Sequence, residues 1–187
     1  MKGMEGPLLK GQRVTLRPVR PEDAAARELH GWHSEIERNY GHASVTREMT
    51  HEEAQQWFRG QQELAADPSR VSWVIEVADR LVGVVFLHSL DEADSKARFA
   101  IGLFSPEVIG QGYGSEATRL VLSHAFGAMG LHRVDLRVLA FNDGAIESYR
   151  KCGFVVEGRE RESCRLDGAW HDDIIMGILS SDFLTHD

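Results

Sequence analysis

Cysteine is scarce in this chain of 187 residues: Cys152 and Cys164 are the only two. Two thiols make no disulfide framework and lack the paired spacing of a zinc site, so both are read as reduced, and no metal is expected. Long apolar runs are also missing. The longest, such as Leu81 to Leu87, fall far short of the twenty or so residues of a membrane span, and the first ten residues lack the apolar segment of a secretory signal. A soluble, cytoplasmic protein without a membrane partner is expected. Positive charge is in deficit, with 21 Lys and Arg against 29 Asp and Glu, a formal net charge of −8. Nucleic-acid backbones call for clustered cations, so this balance argues against a nucleic-acid partner and permits a cationic substrate. Repeats, low-complexity stretches and linkers are absent, and 42% hydrophobic residues suffice for one core, so residues 1–187 are expected to form one domain.

The elements read as a mixed α/β chain. Arg13 to Arg17 alternates polar and apolar residues up to Pro18, a strand pattern, and Pro21 to Asp23 open a helix that runs to His30. Trp32 to Arg47 is irregular, rich in aromatics, His and Glu. Thr50 and Glu53 have capping-box spacing ahead of a helix that ends near Asp67-Pro68. Val71 to Val77 and Leu81 to Leu87 form a hairpin about Ala78 to Arg80, and Ala97 to Phe104 adds a third strand. Ala117, Leu120, Val121, His124, Ala125 and Ala128 recur at helical spacing, with Gly130 as the stop. Val134, Leu136 and Val138 alternate in a strand placed to run parallel to the one before the glycines, since a helix-length crossover separates them. Asn142 or Asp143 then caps a helix ending at Gly153, Phe154 to Glu157 forms a strand, and Asp167-Gly168 turns between Glu160 to Leu166 and Trp170 to Leu179.

The segment Val108-Ile109-Gly110-Gln111-Gly112-Tyr113-Gly114-Ser115-Glu116-Ala117 carries the chemistry. Glycines permit positive φ and close backbone approach, and the first amides of the following helix lack intrahelical acceptors, so the loop is an anion cradle. It is not a P-loop, because Ser115-Glu116 stands where Lys-Ser or Lys-Thr is needed. Nor is it a dinucleotide fingerprint, because the glycines alternate at 110, 112 and 114. A plain strand-to-helix turn that binds nothing stays open on the loop alone.

Twenty-eight residues after Gly114 comes Asn142-Asp143-Gly144-Ala145-Ile146-Glu147-Ser148-Tyr149-Arg150-Lys151-Cys152-Gly153-Phe154. With this pair of segments the chain resembles the GNAT superfamily of acyl-CoA-dependent N-acyltransferases, marked by a glycine loop after the fourth strand and Asn…Tyr-x-Lys-x-Gly-Phe after the fifth. The stretches "RVTLRPVRPEDA", "GLFSPEVIGQGYGSEA" and "LDGAWHDDIIMGIL" are similar to the branch of ribosomal-protein N-terminal and spermidine acetyltransferases. The resemblance implies a mixed, mostly antiparallel sheet whose fourth and fifth strands splay to admit the pantetheine arm of acetyl-CoA. It assigns Leu103, Phe104 and Ser105 to the pantetheine amides, Gly110, Gln111, Gly112, Tyr113, Gly114 and Ser115 to the pyrophosphate, and Asn142 and Ser148 to the cofactor side. Tyr149 becomes the general acid for the departing thiolate. From the residues alone, a helix cap is the rival role for Asn142 and a buried structural Tyr for Tyr149.

The expected reaction is transfer of acetyl from acetyl-CoA to a primary amine by direct attack, the acceptor being a protein N-terminus, a polyamine or another small amine. An amine near pKa 10.4 is protonated at neutral pH and needs a base. The family's glutamate positions carry Ala100 and Arg137 here, so Glu35, Glu37, His33 and His88 all stay open for that role, and Ile109 stands where many members carry Arg or Gln. Those missing glutamates motivate an alternative, a non-catalytic acyl-CoA-binding or sensor module. By the resemblance, the segment between the first two helices shapes the amine pocket, with Trp32, His33, Glu35 and Tyr40 as its candidates. A homodimer stays open.

Overall fold

A computed structural model describes residues 4–42 and 45–183. Ala43 and Ser44, inside the irregular block, and the extreme ends of the expected domain lie outside the described residues. Among the described residues no helix is long and apolar enough to cross a membrane. The strands are β1 (Met4–Glu5), β2 (Leu9–Lys10), β3 (Val14–Arg17), β4 (Val71–Val77), β5 (Arg80–Asp91), β6 (Lys96–Leu103), β7 (Arg133–Leu139), β8 (Val155–Leu166) and β9 (Ala169–Leu179). The helices are α1 (Asp23–His30), α2 (Ser34–Asn39), α3 (His51–Ala65), α4 (Tyr113–Phe126), α5 (Asp143–Lys151) and α6 (Ser180–Phe183).

One sheet runs in the order β2-β3-β4-β5-β6-β7-β9-β8, with β1 beside β4. It is antiparallel except at β1/β4 and β6/β7. The β6/β7 pairing covers only Lys96 to Arg98 against Arg133 to Asp135. Beyond it β6 stays bonded to β5 as far as Leu103, and β7 to β9 as far as Leu139, so the two central strands part and leave a wedge in mid-sheet.

Alternation drives the burial. Ala97 and Phe99 on β6 and Val134, Leu136 and Val138 on β7 turn inward, where Ala117, Val121, Leu122 and Ala125 of α4 join them. The Phe99 ring meets Tyr149 edge-on at 6.1 Å, and Tyr149 meets Phe154 at 5.8 Å, so α5 is fastened to the sheet beside the wedge. Truncating either phenylalanine to Ala costs about 3–5 kcal/mol.

The corner from β3 into α1 is ionic. Arg17, 5% exposed, gives two hydrogen bonds to the Asp23 carboxylate at 2.9 and 2.8 Å and one from Nε to Glu76 at 2.6 Å. These carboxylates hold the guanidinium pKa above its ordinary value, the Asp23 hydrogen bonds contributing most.

Three local expectations need correction. The block from Trp32 to Arg47 is not irregular: it contains α2, and Trp32 bridges Arg47 by backbone hydrogen bonds of 2.8 and 3.0 Å. The helix after the glycines stops at Phe126, before Ala128, because the Met129 amide reaches back five residues to the His124 carbonyl and the Leu131 amide six to that of Ala125; Gly130 lies between them at φ 65°. The strands expected at Phe154 to Glu157 and Glu160 to Leu166 are one bulged strand, β8, with register shifts at Val156/Gly158 and Glu160/Cys164 and Glu162 at φ 54°. A bulge inserts a residue without ending the pairing, and from sequence it looks like a break.

Candidate active site

A cavity of about 540 Å³ fills the wedge. Ile101 and Leu103 of β6 form one wall, the glycine loop and α4 close one end, α5 forms the opposite wall, and Ile36, Asn39 and Tyr40 around the end of α2 cover the other side.

The glycine loop leaves β6 through a short 3-10 turn, Pro106–Val108. Gly110 and Gly112 lie at φ 75° and 83°, a region that costs an L side chain about 1–2 kcal/mol. The amides of Tyr113, Gly114 and Ser115 open α4 and by position have no intrahelical acceptor; Gly114 and Ser115 line the cavity. The cradle is anchored from far away in sequence. Glu116 Oε1 accepts from the Arg13 and Val14 amides at 2.8 and 3.1 Å, while the Arg13 guanidinium donates to the Gln111 carbonyl at 3.0 Å and lies over the Tyr113 ring. Those backbone donors keep the Glu116 carboxyl below its usual pKa although burial works against them.

Asn142 lines the cavity, and its Oδ1 accepts from the Ala145 amide at 3.2 Å, so the cap of α5 is itself a wall residue. Ser115 and Ser148 face each other, Oγ to Oγ at 2.8 Å, joining α4 to α5. Tyr149 is 9% exposed and its ring borders the cavity; burial raises its pKa above the usual tyrosine value, and nearby Tyr40 adds to the rise. The Leu103 amide, on the β6 side, donates to the Tyr40 hydroxyl at 2.8 Å. Burial pushes the Tyr40 pKa up to about 12.

The expected residues divide. Leu103, Gly110, Gly112, Gly114, Ser115, Asn142, Ser148, Tyr149 and Tyr40 share the cavity wall. Gln111 and Tyr113 belong to the loop but are engaged with Arg13 on its outer side. Phe104 turns away: its amide donates to Val82 and its ring packs on Trp57 and His30. Ser105 is buried outside the cavity with its Oγ unpartnered. Trp32 stacks on Arg27, whose pKa desolvation lowers to about 10, rather than on the cavity. His33 precedes α2 as its N-cap, and Glu35 points outward.

None of the four candidate bases lines the cavity. Glu37 is buried and accepts from His42 Nδ1 at 2.9 Å, and His88 lies on β5 with burial lowering its pKa. Arg137 pairs with Glu160 at 2.5 Å. Among the described residues the one carboxylate in the wall is Glu147, beside Lys151 at 3.9 Å. Among the described residues no group of three or more His, Cys, Asp or Glu is placed to hold a metal ion. Sequence reading missed Asn39, Ile36 and the Arg13–Glu116 clamp. Asn39 and Ile36 gave no signal once α2 was read as loop, whereas Glu116 in the first turn of a helix was visible as a candidate dipole partner.

A parting of two parallel central strands, with a glycine loop on one side and a tyrosine on the other, is the arrangement expected of an acyl-CoA-dependent acyltransferase, and the Acetyltransferase (GNAT) domain family matches residues 13–155. The chain belongs to this family and is an N-acetyltransferase; members take the acyl group from acetyl-CoA. It is 31% identical over 181 residues to the Probable N-acetyltransferase YjcK of Bacillus subtilis (strain 168), covering 94% of this chain and 98% of that one. It is also 31% identical over 118 residues, 63% of each chain, to the Spermidine N(1)-acetyltransferase of Escherichia coli (strain K12). The crystal structure of spermidine N-acetyltransferase from Vibrio cholerae in complex with CoA and spermine superposes with a TM-score of 0.76 at 25% identity, over 93% of this chain and 99% of that one.

Proposed function

We propose that the chain transfers acetyl from acetyl-CoA to a primary amine in the β6/β7 wedge, by direct attack of the amine on the thioester. The observation that carries this reading is the shared cavity, where the glycine loop, Asn142 and Tyr149 meet although they lie up to 39 residues apart. The loop amides of Gly110 to Ser115 hold the pyrophosphate, the Leu103 carbonyl on the β6 edge and the Asn142 side chain bind the pantetheine arm, and Ser148 with Ser115 shapes the wall between them. A cradle whose open positions carry no Cβ fits a diphosphate, and amides at a helix start bind it without a basic side chain.

As the amine nitrogen bonds to the thioester carbon, the carbonyl electrons move onto oxygen. When the tetrahedral intermediate collapses, the C–S bond breaks and Tyr149 gives its proton to the sulfur, regaining one from water to close the turnover. A tyrosine kept protonated by burial suits an acid, not a base. With no histidine in the described wall and its one carboxylate, Glu147, beside Lys151, the amine's proton passes to water, so kcat/KM rises with pH along the acceptor's own ionisation. The acceptor is a protein N-terminus, a polyamine or another small amine; the spermidine acetyltransferase relatives favour trying polyamines first.

Thiol release from acetyl-CoA, measured against spermidine, spermine, N-terminal peptides and small primary amines, tests the proposal. Turnover with one class identifies the acceptor. Tight acetyl-CoA binding with no thiol release on any amine instead favours the acyl-CoA-binding module.

A further inference from the structure

Tyr40 has a hydrogen-bonding arrangement that an acceptor-pocket wall does not need. Its oxygen accepts from the Leu103 amide at 2.8 Å, on the strand edge where β6 has lost its β7 partner. A strand amide at that position would otherwise be bare toward the cavity. The phenol uses a lone pair in this bond and keeps its own proton, for which the described residues supply no acceptor; Tyr40 lines the same cavity as Tyr149. The phenol lies against the strand at Gly102, where a Cβ would stand at ordinary contact distance, 3.6 Å, from both Cζ and Oη.

We infer that Tyr40 is a second catalytic tyrosine, donating its hydroxyl proton in a hydrogen bond to the thioester carbonyl oxygen as that oxygen becomes an oxyanion, with the Leu103 amide behind it. The inference rests on the proposal that acetyl-CoA enters the wedge. The chain Leu103 N–H to Tyr40 Oη–H to carbonyl oxygen is cooperative: accepting from the amide makes the phenol a stronger donor. No proton is transferred in this step. The bond strengthens as negative charge develops, which is how an oxyanion donor lowers the barrier. An ordinary phenol, with a pKa of about 10, is already protonated at neutral pH, so the donor is present where the reaction is assayed. Two tyrosines thereby divide the work: Tyr149 serves the sulfur and Tyr40 the oxygen.

A competing arrangement is that Tyr40 plugs the strand amide and leaves when acetyl-CoA arrives. One variant separates them. Tyr40→Phe keeps the ring, deletes the oxygen, and leaves the Leu103 amide one atom short of the carbonyl. The measurement is the infrared carbonyl band of bound 13C-labelled acetyl-CoA, which needs no acceptor, beside calorimetric affinity. Wild type is expected to show a band shifted to lower frequency and the variant to lose that shift at affinity within about threefold; with a competent amine, kcat falls on the order of 10²-fold while KM for acetyl-CoA holds. An unshifted wild-type band, a shift that survives in the variant, or tighter binding with unreduced turnover would overturn the role of Tyr40. Failure of wild type to bind acetyl-CoA at all would instead overturn the wedge as the donor site.

Discussion

Replacing Gly112 tests the donor cradle most directly. Gly112 sits at φ 83° and ψ −2° as the N-cap of α4, and a Cβ there would approach the Arg13 guanidinium to 3.0 Å. Arg13 is half exposed and that contact is the tip of a flexible side chain, so it can withdraw, and the steric cost of Gly112→Ala is mainly the left-handed backbone, about 1–2 kcal/mol of stability. Gly112→Asp adds a charge. A carboxylate about 5 Å from one phosphate charge, at an effective dielectric near 20, repels it by about 3 kcal/mol, roughly a 10²-fold loss of CoA affinity. Arg13 offsets part of this, so the double variant Gly112→Asp/Arg13→Ala is expected to bind more weakly still. Calorimetry with CoA reads the loss, and pantetheine, which has no pyrophosphate, is the control: its affinity should be the same in the Ala and Asp variants. Raising the salt should narrow the gap between the Ala and Asp variants for CoA, because exposed charge repulsion is screened. Equal CoA affinity in wild type and the Asp variant refutes the cradle.

Tyr149→Phe is expected to lower kcat by about 10²-fold with CoA affinity unchanged, read by thiol release and calorimetry; an undiminished kcat removes the acid role. Arg17→Ala leaves Asp23, 1% exposed, and Glu76 without their cation, and a loss of about 3–5 kcal/mol is expected in urea denaturation. Stability should also fall in acid. Burial lowers the pKa of His30, His88 and His124, so between the folded values and about 6.5 the unfolded chain binds more protons, and stability present above that range is lost as pH drops through it. Comparing melts at pH 7.5 and 5.5 checks this, and His124→Gln, which removes a group shifted by desolvation alone, should reduce the pH slope.

Much of the cavity's glycine-loop and α5 side was legible because it is written locally. Glycines at alternate positions ahead of a helical pattern, and Asn142 seven residues before Tyr149, are short-range signals, and the fold brings both segments to one cavity. Phe104 misled the reading, since its neighbour Leu103 faces the wedge and strand alternation sends Phe104 to the opposite face, against Trp57. The side covered by α2 was illegible for a different reason. α2 has six residues, too few to show a helical period, and its placement depends on the Trp32 to Arg47 bridge, a contact between residues whose types announce nothing. Tyr40 was named as a wall residue, but its bond to Leu103 spans 63 positions and no spacing rule reaches it.

The Glu116 tie to Arg13 and Val14 also has a kinetic meaning. It joins positions 103 apart, a closure whose entropic cost is about 4 kcal/mol beyond the length-independent part. The tie therefore couples the docking of β3 to the setting of the glycine loop, and it cannot form in a growing chain until α4 has been made. Donor binding becomes a report on completed topology: a molecule with native helices but an undocked β3 would lack a formed cradle, and CoA would stabilise only the fully threaded sheet.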